Sequence, residues 1–148
     1  MTGEPFTHTL RVRYAECDMQ GVVFNAHYLA YFDASVTELW RAAFGGYRVM
    51  LDRGVDVVVA EATVRFRGAA RFDEQLALRI AITQLGRTSI ASYHEICRDG
   101  DLLVHGDMRH VCVDRELVVK TPIPDWVREG LAPWVVAPAA PAGAASNR

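Results

Sequence analysis

The chain lacks most of the features that settle a protein's class at a glance. Its three cysteines, Cys17, Cys97 and Cys112, lie far apart, form no C-x-x-C pair, and cannot all pair within one chain. A disulfide scaffold is excluded, and a reduced, cytoplasmic compartment is expected. No uninterrupted apolar run approaches the roughly 20 residues that span a bilayer. The opening M-T-G-E-P-F-T-H has neither the basic stretch nor the apolar core of a signal peptide, so no membrane partner is expected. Charge of one sign is not in excess: the formal net charge is −2, which gives no reason to expect nucleic acid. Gly45-Gly46 is not followed by G-K-S/T, so there is no Walker-type phosphate loop. His94, His105 and His110 have no cysteine or carboxylate partners at ligand spacing, and no metal is expected. No internal repeat is present.

What remains is a chain of 148 residues, 51% hydrophobic, long enough to bury a core without metal or disulfide staples. Phe6 to Tyr14 alternates, with Phe6, His8, Leu10, Val12 and Tyr14 on the apolar face, and reads as a half-buried strand. From about Asn25 to Phe44, Tyr28, Leu29, Phe32, Val36, Leu39, Trp40 and Ala43 recur at helical spacing. Asn25 is the expected N-cap and Gly45-Gly46 the stop. Strand-like runs follow at Val55–Arg67, Gln75–Leu85, Thr88–Arg98 and Leu102–Asp114. Leu85-Gly86-Arg87 and Arg98-Asp99-Gly100-Asp101 read as hairpin turns, which implies an antiparallel sheet. Pro122, Pro124, Asp125 and Trp126 introduce a short last helix. Residues 1–131 are read as one α+β domain, an antiparallel sheet wrapped around one long central helix. Residues 132–148 form an Ala/Pro-rich tail, expected to be disordered beyond Val136.

Chemistry concentrates in Tyr14–Tyr28, Y-A-E-C-D-M-Q-G-V-V-F-N-A-H-Y. One acid, Asp18, stands just ahead of a Gly21-Val22-Val23 turn, and the long helix opens at once. A helix start offers free backbone N–H groups to a developing oxyanion, and the acid can attack or accept a proton. A carboxylate is ionised at neutral pH, so no strong base is needed against a reactive carbonyl. Gly21 suits a sharp turn between strand and helix. Glu16 is read as a solvated or structural acid that could tune Asp18 by like-charge repulsion. Cys17 has no histidine with a defined relation to it and is read as a packed thiol. His27 can contact substrate, move a proton, or simply pack.

D-x-x-G-V-V-F-N-x-x-Y followed by a long helix resembles the hotdog-fold acyl-CoA thioesterases of the 4-hydroxybenzoyl-CoA and YbgC type. The similarity runs from about Phe6 to Asp114 and takes in V-R-F-R-G-A-A-R-F-D-E-Q-L and L-G-R-T-S-I-A-S-Y-H-E-I. Ala69 stands where the family often has proline. The resemblance implies a hotdog fold, an acyl-CoA substrate, and no cofactor beyond the coenzyme A of the substrate. It gives Asp18 the role of nucleophile or general base and the Asn25 backbone N–H that of polarising the thioester carbonyl. Gly21, Val22, Val23, Phe24, His27 and Tyr28 would flank the substrate. It also implies an active site at a subunit interface, in a homodimer or homotetramer. Glu61 would then face a neighbouring site or lie on an exposed edge. Arg65, Arg67, Arg71 and Arg87 are the cations available for coenzyme A phosphates. Two other readings compete. A dehydratase would carry a G-D-x-N-P-x-H-like pair, which is absent; a non-catalytic acyl-CoA-binding or regulatory module would not need Asp18.

Overall fold

The computed structural model describes residues 3–136. Five strands, β1 (Phe6–Arg11), β2 (Val55–Phe66), β3 (Gln75–Leu85), β4 (Ser89–Arg98) and β5 (Asp101–Asp114), form one antiparallel sheet in the order β1-β3-β4-β5-β2. Three helices accompany it: α1 (Asn25–Phe44), α2 (Tyr47–Asp52) and α3 (Asp125–Leu131). Alternation decides which strand face turns inward. Leu76, Leu78, Ile80 and Ile82 of β3 and Ile90 and Ile96 of β4 point to one side and are fully buried. Against them lies the stripe Tyr28, Phe32, Val36, Leu39 and Trp40 of α1. Burying each such side chain contributes about 1.5–3 kcal/mol, enough to hold a 20-residue helix across the sheet. Asp99 and Gly100 both have positive φ, 50° and 85°, as a tight hairpin between β4 and β5 requires.

The sheet around one long helix is the arrangement expected from the sequence, with four differences. β1 ends at Arg11 rather than Tyr14. Val12 leaves the ladder to donate to the Glu74 carbonyl (2.9 Å), and Tyr14–Glu16 winds into a single 3₁₀ turn. Tyr14 is therefore 81% exposed instead of lying on the apolar face. Phe24, not Asn25, is the N-cap of α1, and no side chain caps that end. Leu29, placed on the buried stripe by spacing, is 41% exposed, while Tyr31 and Ser35 are buried. Helix α2, only six residues long, was not anticipated.

Past Leu131 the chain stays on the sheet. Val135 bridges Ile82, the Val136 N–H donates to the Ile82 carbonyl (2.9 Å), and Trp134 meets Phe6 edge-on. The expected disorder beyond Val136 lies outside the described residues. All three cysteines are free, with Cys97 and Cys112 buried. No helix among the described residues is long and apolar enough to cross a membrane.

Candidate active site

Asp18 opens a tight turn. The Gly21 N–H donates to the Asp18 carbonyl (3.0 Å), and the Asp18 N–H donates to the Val22 carbonyl (2.9 Å). Gly21 has φ +77°, the left-handed conformation that glycine takes without steric cost and that lets the chain reverse here. The Asp18 side chain joins the turn through one oxygen, Oδ1, which accepts the Gln20 N–H (2.8 Å). An aspartate at this position stabilises such a turn, and among the described residues Oδ2 accepts no hydrogen bond. The carboxylate is half-exposed and lines a cleft of about 670 Å³ with Tyr14, Cys17, Met19, Gly21 and Phe72. Tyr14 and Phe72 meet edge-on across it (6.0 Å). Asp18 is the one charged side chain among these lining residues.

The returning strand leads straight into α1. Cys17 and Val23 bridge, the Phe24 N–H donates to the Glu16 carbonyl (2.9 Å), and the helix begins at Asn25. The His27 N–H turns back to the Phe24 carbonyl (2.9 Å). Among the described residues, the N–H groups of Asn25 and Ala26 have no such acceptor. They are the open donors of the helix start, at its positive end.

The other side chains named from the sequence divide by burial. Gly21 lines the cleft, and Val22 is half-buried and bridged to Arg71. Phe24 is exposed and edge-on to His27 (6.1 Å), which is half-buried. Val23 and Tyr28 are core residues, not cleft walls. Both fasten Ala70: the Val23 N–H donates to its carbonyl (2.8 Å), and its N–H donates to the Tyr28 hydroxyl (3.0 Å). Burial raises the Tyr28 phenol above its ordinary range, so the hydroxyl stays neutral and serves as an acceptor.

Glu16 is not solvated. It is buried and accepts the Arg13 N–H (2.7 Å), the Arg13 guanidinium (3.2 Å) and the Tyr31 hydroxyl (3.1 Å). Burial works to raise its carboxyl, but these donors outweigh it and hold the group below the usual carboxylate range. Cys17 is half-buried, with its thiol 3.8 Å from the Arg13 carbonyl. Glu61 is exposed and pairs with Arg109 (3.5 Å). Of the four arginines considered for phosphate, Arg71 alone flanks the cleft, beside Phe72 and opposite Val22. Arg87 sits in the β3–β4 turn, where its carbonyl accepts the Ile123 N–H, at the α3 end of the molecule. No cluster of three or more His, Cys, Asp or Glu side chains among the described residues could hold a metal ion.

Tyr14, Met19 and Phe72 of the cleft and Tyr31 beneath it were not picked out as site residues from the sequence. Tyr31 had a usable signal, since it lies one helical turn from Tyr28 on the buried side. Phe72 had none, because nothing in the Gly68–Glu74 connection says where it folds.

A sheet wrapped about one long helix, with an acid in the turn just ahead of it, is the arrangement to set beside known proteins. The thioesterase-like superfamily model matches residues 12–131, and the chain belongs to that superfamily and is a hydrolase of that class. It is similar to the acyl-CoA thioester hydrolase YbgC of Escherichia coli, 31% identical over 110 residues, 74% of this chain and 82% of that protein. A hypothetical protein from Thermus thermophilus superposes with a TM-score of 0.80 at 31% identity, covering 86% of this chain and 98% of that one. A 1,4-dihydroxy-2-naphthoyl-CoA thioesterase from Synechocystis, at 21% identity, shares the hotdog fold with a TM-score of 0.79 over 86% of this chain and 96% of its own.

Proposed function

We propose that this protein hydrolyses acyl-CoA thioesters to a free acid and coenzyme A, with Asp18 as the catalytic carboxylate. One observation carries the reading: Asp18 lines a cleft formed by the turn that leads into α1, and the Asn25 and Ala26 N–H groups at that helix start have no acceptor of their own among the described residues. A thioester carbonyl bound there meets a carboxylate oxygen on one side and helix-start donors on the other. Attack builds negative charge on the carbonyl oxygen, and fixed amides stabilise it without reorganising. Collapse of the adduct breaks the C–S bond and releases the coenzyme A thiolate. If Asp18 attacks directly, the product is a mixed anhydride, and water then frees the acid. If Asp18 takes a proton from water, the acid forms in one addition. Single turnover in ¹⁸O water separates the routes, because only the anhydride can leave label in the Asp18 carboxylate.

The site works within an assembly of identical chains in a reducing cytoplasm. The long edge strand β2 and the neighbouring face of α1 support the first part, and three free cysteines the second. Asp18→Asn keeps the size and the turn-forming oxygen of the side chain but removes its charge. Thiol release from a panel of acyl-CoAs is expected to fall about 10³-fold in kcat, with binding of a non-hydrolysable analogue retained. Release at the wild-type rate would remove Asp18 from the reaction.

A further inference from the structure

Besides Asp18, one other carboxylate sits at the junction of catalytic turn and helix. Glu16 lies two residues before Asp18 and is buried. Its side chain takes the Tyr31 hydroxyl on Oε1 (3.1 Å), and Tyr31 is itself buried about two turns into α1. The same oxygen takes the Arg13 N–H (2.7 Å), and Oε2 takes the Arg13 guanidinium (3.2 Å). Its backbone carbonyl holds the Phe24 N–H, the residue that caps α1 (2.9 Å). One residue is thus tied to Arg13 in the segment that follows β1, to the cap of the helix, and to the helix body.

Burying a carboxylate costs free energy that an apolar side chain at the same place would avoid. The hydrogen bonds account for its survival there but not for its placement. Placement has a geometric consequence. The Asp18 turn is anchored on one side through Glu16, and the open N–H groups of Asn25 and Ala26 belong to the helix that Tyr31 rides on. The Glu16–Tyr31 bond therefore spans the two halves of the site that must converge on one carbonyl. Misplacement of reacting groups by about 1 Å can cost up to about 10²-fold in rate.

We propose that Glu16 and Tyr31 are positioning residues for thioester hydrolysis, a buried carboxylate–phenol tie that fixes the Asp18 turn against the start of α1. The inference rests on Asp18 being the catalytic carboxylate. Tyr31→Phe removes only the hydroxyl, and Glu16→Met keeps the length of the side chain while removing both acceptor oxygens. Each is expected to lower kcat about tenfold while KM stays within about twofold. The double variant should be no worse than the weaker single one by more than about twofold, since both changes cut the same tie. In an Asp18→Asn background, Tyr31→Phe should change the residual rate less than about twofold.

Wild-type kcat in either single variant would overturn the proposal. So would a tenfold loss that persists in the Asp18→Asn background, since the pair would then not act through Asp18. If Tyr31→Phe fails to fold, Glu16→Met carries the same test. Full activity of Asp18→Asn alone would instead sink the assignment of Asp18, a different signature from the failure of the tie.

Discussion

His94 shows how much a single side chain can say about stability. It is buried in β4, stacked on Phe32 (4.7 Å between ring centroids). The Ser35 hydroxyl, which donates to the Phe32 carbonyl (2.7 Å), lies 3.3 Å from His94 Nδ1, and the Ser92 hydroxyl, 3.5 Å from the Met108 carbonyl, lies 2.9 Å from Nε2. Loss of hydration, and secondarily the neighbouring His110, push its imidazole down to about 3. Burial lowers His110 too, although Asp33 works against it. In the unfolded chain both rings take up protons near the ordinary value of about 6.5. The folded state is thus at full advantage above about pH 6.5 and loses it as pH falls from there toward the folded values. Each ring contributes a slope of up to about 1.4 kcal/mol per pH unit. Urea midpoints should therefore drop clearly between pH 7.5 and pH 5.0, and His94→Asn should flatten the trend. The lowered carboxyl of Glu16 titrates below about pH 4.5 and does not enter this window. A wild-type midpoint unchanged across that range would show that neither ring stays neutral in the fold. At this scale the sequence was legible where chemistry is local: Asp18, Gly21 and the helix start follow one another within eight residues. The environments of Glu16 and Tyr28 were not legible, because their burial is decided by the partners Tyr31 and Ala70, reached only through the fold.

Among the elements, α1 carries the sharpest test. Asn25 is the first helical residue, the position where proline is best tolerated, because its N–H has no intrahelical acceptor. The preceding residue, Phe24, already has the extended backbone that a following proline demands, with φ −61° and ψ 135°. Asn25→Pro therefore deletes one amide hydrogen and leaves the helix intact. If that hydrogen polarises the thioester carbonyl, kcat falls about 10²- to 10³-fold while thermal stability changes by no more than about 1 kcal/mol. An unchanged kcat in a folded Asn25→Pro protein would pass the role to Ala26 or to no helix amide at all. The bounds of α1 and β3 could be drawn from the sequence because long periodic runs ended by glycine or tight turns are local signals. The cap was misplaced by one residue, since asparagine's capping preference says nothing when the preceding Phe24 N–H is already held by the Glu16 carbonyl. Helix α2 escaped notice because six residues are too few to show a period.

For the whole molecule, the two sheet edges are unequal. β1 is a short edge of six residues, whereas β2 runs for 12 with one register shift at Val59/Glu61. Val58 and Val59 stand 41% and 52% exposed on β2, and Leu29 of α1 is exposed near them, beside Ala26, Ala30 and Asp33 in a shallow apolar groove. The edge carries Asp56, Glu61 and Arg65, but its Val57–Ala60 stretch is uncharged, and an unpaired edge of this length offers free N–H and C=O groups to another strand. A second copy, its β2 running antiparallel to the first, would continue the hydrogen-bond ladder and cover the groove with its own helix. Strand alternation alone could not reveal this face, because a residue that meets a partner and one that meets water carry the same pattern in a single chain. The cleft beside Asp18 has an outer wall of exposed side chains, Tyr14, Met19 and Phe72, which fits a site completed by the neighbouring chain. Sedimentation equilibrium at micromolar concentration should therefore give an even multiple of the chain mass. Val59→Lys places a charge on the shared edge and should shift the protein to monomer, with thiol release falling in step with the fraction dissociated. A wild-type protein that sediments as a monomer and still cleaves acyl-CoA at full rate would show that one chain forms the whole site. Monomeric Val59→Lys with undiminished kcat would separate assembly from catalysis and leave the edge with a purely structural role.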